Sequence, residues 1–312
     1  MSDWTELLAD PALEMAAAVL DDIERVLLAN QNRLRAMTRS EADVDGEIRG
    51  LGLDERHPDV ARLAAIVATL DAIYKDATRN LEKIMRRHPL YPWAKSIRGV
   101  GDKQIARLLA AVHDPYVRPE IVRDDGTVLP AGPRTVSALW AYCGLHVVPA
   151  GGQNAHDAQD FSAAGRDQLS ADLSQFDGQG NHVGGVGGDL GREHHDAHAP
   201  IAGVAPRRAR GQKANWSTKA KTRAYLISES CMKQLVKPCA KPDDDAKWAT
   251  HVEDCGCSPF RRVYDARRAH TSVTHPEWTD GHAQNDALRV VSKALLKDLW
   301  RAAKDYHESI KP

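Results

Sequence analysis

Four side chains that could ligate a soft metal fall close together late in the chain: Cys239, His251, Cys255 and Cys257. Thiolate and imidazole together suit a tetrahedral zinc ion. The spacing is unusual, because Cys255 and Cys257 are separated by one residue where zinc sites favour Cys-x-x-Cys. Two readings stand side by side: a structural zinc, or reduced thiols with no cofactor at all. His194, His195 and His198 also cluster, but in a stretch so biased in composition that histidines alone do not make a site. Asp43, Asp45 and Glu47 read as a solvated loop run, not a metal site.

The second chemistry belongs to the main chain. Gly99-Val100-Gly101 stands just ahead of a stretch, Asp102 to Val112, in which Ile105, Leu108, Leu109 and Val112 mark one apolar helix face. Glycine takes positive φ without steric cost and lets a ligand approach the backbone. The free N–H groups of a helix that starts at Gly101-Asp102 would bind phosphate. Such contacts position a nucleic-acid backbone and read no sequence. The candidate contacts are Gly99, Val100, Gly101, Lys103 and Gln104. The alternative is a plain turn between two helices.

The segment resembles a helix-hairpin-helix DNA-binding motif, with Ile97 and Val100 packing the turn. Three blocks in order carry a wider resemblance: Ile97 to Pro115, then Gly132 to Gly152 with Ala141-Tyr142-Cys143-Gly144-Leu145 inside it, then Lys213 to Cys231. They are similar to the C-terminal domain of the IS110/IS116/IS902 transposase family, over about a quarter of the chain. The resemblance implies DNA as partner and a coiled coil ahead of the domain. It also implies a RuvC-like domain with metal-binding carboxylates, yet this chain opens directly in helix and shows no such strands. The family's Ser-Gly nucleophile pair is matched by Ala150-Gly151, which has no hydroxyl to attack a phosphodiester. The expectation is therefore a protein without catalytic residues. Ser217 and Ser228 are the hydroxyls left, and Ser217 or Asn215 reads as the cap of a following helix.

Positive charge collects in two places. Arg207, Arg208, Arg210, Lys213, Lys219, Lys221 and Arg223 form a run of seven basic residues with no acid among them. Trp216 within it reads as a base-stacking ring or as a helix-start anchor. On the last helix Arg289, Lys293, Lys297 and Arg301 recur every four residues, and Leu288, Val291, Leu295 and Leu299 lie nearly opposite. Phosphate contacts would make binding fall with salt. Solvated arms and helix faces are the competing reading, which also covers Arg261, Arg262, Arg267 and Arg268.

The elements that must position these groups are helices. Alanine and leucine abound, aromatics make up 5% of the chain, and long β-branched runs are rare. The fold class is all-α: a long helical hairpin or coiled coil, then a helical domain containing the glycine hairpin and a disordered insertion. Leu13, Leu20, Leu27 and Leu34 mark one heptad seam, and Ala16, Ile23, Asn30 and Met37 the other, with Asn30 placed to fix register. A second helix from Val60 to Arg87 carries Leu63, Leu70, Ala77 and Ile84, with Ile66 and Ile73 beside them. The two pack within the chain or against a second copy. Pro89 and Pro92 end the second helix. His113 to Pro133 reads as a loop with a turn at Asp125-Gly126, and a short helix from Arg134 stops at Gly144. Residues 1–90 form the hairpin, 91–149 the first half of the domain, 150–206 the insertion and 207–312 the basic half. The insertion is rich in Gly, His and Asp and too poor in apolar residues to order itself.

With 312 residues the chain has room for two domains. A net charge of −1 names no partner by itself. Five cysteines, an odd number, do not make a disulfide framework. No apolar run reaches a membrane span and no leader is visible, so the expected compartment is the cytoplasm. The functional expectation is a non-catalytic DNA-binding relative of the transposases, dimeric through its N-terminal helices. An active recombinase with a non-standard serine or a partner subunit is one alternative. A helical protein-interaction module is the other.

Overall fold

Asp10 and Pro11 start the first long helix. The Asp10 carboxylate accepts hydrogen bonds from the Ala12 and Leu13 amides at 2.9 and 3.3 Å, and Pro11 sits where no amide is needed. A computed structural model describes residues 7–122, 126–149, 203–204, 206, 214–236, 239, 251 and 255–310. Helix α1 spans Pro11–Thr38 and α2 spans Pro58–Met85. The loop between them is folded back onto the end of α1, with the Leu51 and Leu53 amides donating to the Ala36 and Met37 carbonyls at 2.9 Å each. α2 returns along α1 within the same chain.

Leu13, Leu20 and Leu27 are buried as the first seam requires. Asn30 does not fix register: its amide donates to the Val26 carbonyl (2.9 Å) and its oxygen accepts from Arg33 (3.0 Å), both on its own helix. On α2 the buried positions are Val60, Leu81 and Met85, while Ile66 and Ile73 are exposed. Asp43, Asp45 and Glu47 are held by Arg39 and Arg49 in the exposed loop, as a solvated run would be.

Pro92 does not exclude helix; it occupies the first turn of a short one, α3 (Tyr91–Ser96). After the glycine turn come α4 (Asp102–Val112) and α5 (Val136–Tyr142). The segment between them was expected as loop. Residues there pair instead as two short antiparallel ladders, β1 (Val117–Arg118) with β4 (Gly132–Pro133) and β2 (Ile121–Val122) with β3 (Val128–Leu129). The β-branched residues flanking a turn glycine are the signal for it. β5 (Val148–Pro149) pairs with β6 (Gly203–Val204), so the chain leaves and rejoins the domain at one place. The disordered-insertion reading concerns residues that lie, apart from Gly203, Val204 and Pro206, outside the described ones.

Three further helices complete the order: α6 (Thr218–Met232), α7 (Pro259–Thr274) and α8 (Asp280–Ser309). The eight helices and these short strands make the described residues mainly helical. α8 is the central element, packed by α5, α6 and α7. Its Ala287, Leu288, Val291, Leu295, Leu296, Leu299 and Ala303 are all buried. α4 joins this body to the N-terminal pair, contacting α1, α2 and α6. No helix among the described residues is long and apolar enough to cross a membrane.

Candidate metal centre and nucleic-acid interface

The chain brings Cys239, His251, Cys255 and Cys257 together, with one ligand atom of each lying within 4.8 Å of all the others. Cys255 Sγ is 3.6 Å from His251 Nδ1. Ligands around a tetrahedral zinc, at about 2.0–2.3 Å from the ion, stand roughly 3.5–3.8 Å apart. Three thiols and one imidazole at this separation make a group that could hold a metal ion.

The surroundings orient the donors. His251 Nε2 lies 2.8 Å from Asp265 Oδ2, which leaves Nδ1 turned to the sulfurs. Asp265, nearly fully buried on α7, also takes both ends of the Arg261 guanidinium (2.6 and 2.9 Å), and Arg261 donates to the Met232 carbonyl at the end of α6. Arg262 donates to Cys255 Sγ (3.3 Å) and to the Cys255 carbonyl (3.2 Å). Cys257 Sγ accepts from the Val236 amide at 3.2 Å. Burial raises the Cys255 pKa, but hydrogen bonds from the Cys257 backbone, His251 and the neighbouring thiols outweigh it and bring the thiol to about 6. Burial pushes Cys257 up to about 11, with Cys255 adding to the rise. Cys231 and Cys143 stand apart as buried thiols, pushed by burial to about 11 and about 12.

The glycine turn is built differently at its two glycines. Gly99 has φ +96°, and a side chain there would lie 2.7 Å from Cys231 Cα and 2.9 Å from Gln234 Cγ. Its close approach is thus to the end of α6, inside the protein. Gly101 has nothing within 4 Å of where a side chain would stand, is exposed, and caps α4 with extended backbone. Ile97 and Val100 are buried beneath the turn, as expected.

The basic residues are distributed unlike the expectation. Lys103 donates to the Tyr74 hydroxyl (2.9 Å), which donates to Glu24 on α1 (3.0 Å). Gln104 is half-buried, with Oε1 shut away from solvent. Arg223 is paired with Asp21 at 2.8 Å. Lys221 lies over the Trp216 ring at 5.4 Å, and burial, then Arg289, lowers its pKa. Lys219 is exposed. Arg207, Arg208, Arg210 and Lys213 lie outside the described residues.

The stripe on α8 does not form one solvent-facing row. Lys293 is buried and sits over the Trp140 ring at 4.7 Å, Arg289 is held by Asp286 at 3.2 Å, and Lys297 is half-buried. Packing by three helices covers a face that its own periodicity leaves polar. The arginines of α7 turn inward too, Arg267 to Asp286 (2.6 Å) and Arg268 to Asp280 (2.7 Å). Exposed cations also stand next to the glycine turn, Lys95 and Arg98 just before it in sequence and Arg86 paired with Asp102 at the start of α4. Ser217 Oγ caps α6 by accepting from the Ala220 amide (3.2 Å). Ser228 is fully buried against Ser292 at 2.9 Å.

Sequence reasoning missed Asp265 and Arg98, and read Arg262 only as one of four basic residues on its helix, because nothing in their spacing marks these contacts. No protein-family model, curated protein or solved structure matches the chain.

Proposed function

We propose that this chain is a non-catalytic DNA-binding protein that grips the sugar–phosphate backbone with its glycine turn. The observation that carries the reading is the open Gly101 at the start of α4, exposed and unobstructed. Arg86 reaches Asp102 at the first position of α4 (3.4 Å) and offsets the one acid at that helix start. Lys95 and Arg98, both exposed, precede the turn. A helix start whose cap carries no side chain, with cations nearby, suits an anion. The order of blocks shared with the IS110-type transposases points to DNA as that anion. Ala150 in place of the family's serine, a capping Ser217 and a buried Ser228 support the absence of catalysis.

The Cys239, His251, Cys255 and Cys257 group holds a structural zinc in this reading, with Asp265 and Arg262 supporting it. All four positions of the tetrahedron are then filled by protein, which suits a structural site and leaves none for substrate. Two copies associate through α1 and α2, where Met15, Val19, Val26, Ile66 and Ile73 are exposed.

Titrating the full chain with a duplex of arbitrary sequence at several salt concentrations tests the reading. Contacts to four phosphates give a log–log salt slope of roughly −3 to −4. A chain that leaves the duplex unbound at low salt, or binds it independently of salt, removes the DNA reading and favours a protein-interaction module.

A further inference from the structure

The glycine turn and the Cys–His centre are adjacent. Arg98 Nη1 donates to the Gly256 carbonyl at 3.2 Å, and Gly256 lies between Cys255 and Cys257. Arg98 Nε also reaches Gln234 Oε1 at 3.4 Å. Gln234 and its neighbours are held from the other side, since the Ser258 amide donates to the Gln234 carbonyl (3.2 Å) and the Val236 amide donates to Cys257 Sγ. Gly99 presses against this same stretch, at Cys231 and Gln234. The end of α6 is thus clamped between the turn and the cysteine loop.

We infer that the metal ion at Cys239, His251, Cys255 and Cys257 seats the glycine turn, so that metal occupancy sets whether the α4 start is held in its binding geometry. This rests on the zinc reading above and names a regulation of the proposed DNA grip. With an ion bound, Cys255 and Cys257 are fixed as a pair and the Gly256 carbonyl between them is fixed with them. That carbonyl anchors Arg98, the residue immediately before Gly99. Without the ion, Asp265 still holds the imidazole, but the thiols keep only hydrogen bonds such as those from Arg262 and the Val236 amide, and no bond ties the four donors to one point. The loop then loses its anchor, and the turn loses one side of its clamp. Arg98 is a positioning residue here; it acts on the turn through the loop.

Hydrogen exchange of the full chain reads the turn directly, without DNA. The Val100 amide donates to the Ile97 carbonyl and the Ile105 amide to the Gly101 carbonyl, so both report on its order. The protein as purified is expected to carry one zinc per chain. EDTA treatment should speed exchange in the peptide covering residues 97–105 by about tenfold or more, zinc should restore it, and a peptide from α1 should not change. A chain that takes up no zinc, or whose 97–105 peptide exchanges equally with and without it, overturns the inference. If chelation loosens α1 as well, Arg98→Met in the zinc-loaded chain decides. The same peptide should exchange faster while the zinc stays bound, and an unchanged rate overturns the inference. A chain that leaves DNA unbound yet shows zinc-dependent exchange keeps this inference and loses the DNA reading.

Discussion

His251 Nε2 donates to the Asp265 carboxylate across 2.8 Å, and that contact decides which imidazole nitrogen meets the sulfurs. With Nε2 as the donor to the carboxylate, Nδ1 is left as a lone-pair ligand 3.6 Å from Cys255 Sγ. Carboxylate partners of this kind fix the ring and raise its basicity, and losing one typically costs 10–100-fold in metal affinity. Asp265→Asn should therefore weaken zinc binding by about that factor in competition with a chromophoric chelator. Equal affinity for the two proteins would show that the imidazole does not reach the ion through Nδ1.

The two glycines of the turn should respond oppositely to substitution. Gly99→Ala places a methyl 2.7 Å from Cys231 Cα at a φ of +96°, so the backbone must move. The cost is about 1–3 kcal/mol, seen as a lower melting temperature. Gly101→Leu meets open space at a φ of −88° and should melt close to the parent. On the proposed function it nevertheless weakens duplex binding about tenfold, because a side chain now stands between the amides and a phosphate. A Gly101→Leu protein with unchanged affinity would take the turn out of the interface.

Where one helix decides its own fate, the sequence was legible. α4 begins at Asp102 and ends at Val112 as its glycines and apolar spacing require, and α1 spans the Leu13–Met37 seam within two residues at each end. Gly144, at φ +64°, stops α5 where expected, and a side chain there would strike the Trp216 ring. What periodicity does not convey is how many neighbours a helix has. Lys293 belongs to a polar row on α8, yet α5 packs over that row and Trp140 donates its Nε1–H to the Lys293 carbonyl at 3.0 Å. The four metal-ligand candidates were visible by residue type despite odd spacing. Asp265 was not, and Arg262 read only as a basic surface residue, because their contacts arise only once α7 is laid against the loop.

The dimer proposed for the N-terminal helices makes its own demand. Met15, Val19 and Val26 point within about 40° of one another at 100° per residue, and they are 70%, 49% and 47% exposed. Ile66 and Ile73, two turns apart on α2, are 48% and 45% exposed. Sedimentation should give twice the chain mass for the parent and a single-chain mass for Val19→Asp combined with Val26→Asp. Both positions face solvent within the chain, so circular dichroism and melting of that variant should hold. A parent that sediments as a single chain at all concentrations would leave this face without a second copy.

The attachment of α1 to α4 should be sensitive to acid. Arg107 has a side chain only 1% exposed and lies 2.8 Å from Asp21 and 2.7 Å from Glu24, both on α1. Burial raises the Glu24 pKa, but the hydrogen bond and charge of Arg107, then Tyr74 and Lys103, outweigh it, and the net shift is downward from 4.5. A carboxyl whose folded pKa is depressed contributes stability that is fully present above its unfolded value and is lost as pH falls through the folded one. The urea midpoint should therefore drop as pH is lowered below 4.5, and Glu24→Gln should flatten that dependence by removing the titrating group. Arg107→Ala tests the same contact from the other side. It leaves Glu24 without a guanidinium, held by the Tyr74 hydroxyl alone, while Asp21 keeps Arg223, at a cost of about 2 kcal/mol near neutral pH. Because the loss comes from the Glu24 anion, it should shrink as Glu24 is protonated. A loss that stays constant into the acid range would trace the effect to packing of the arginine stem and not to its charge.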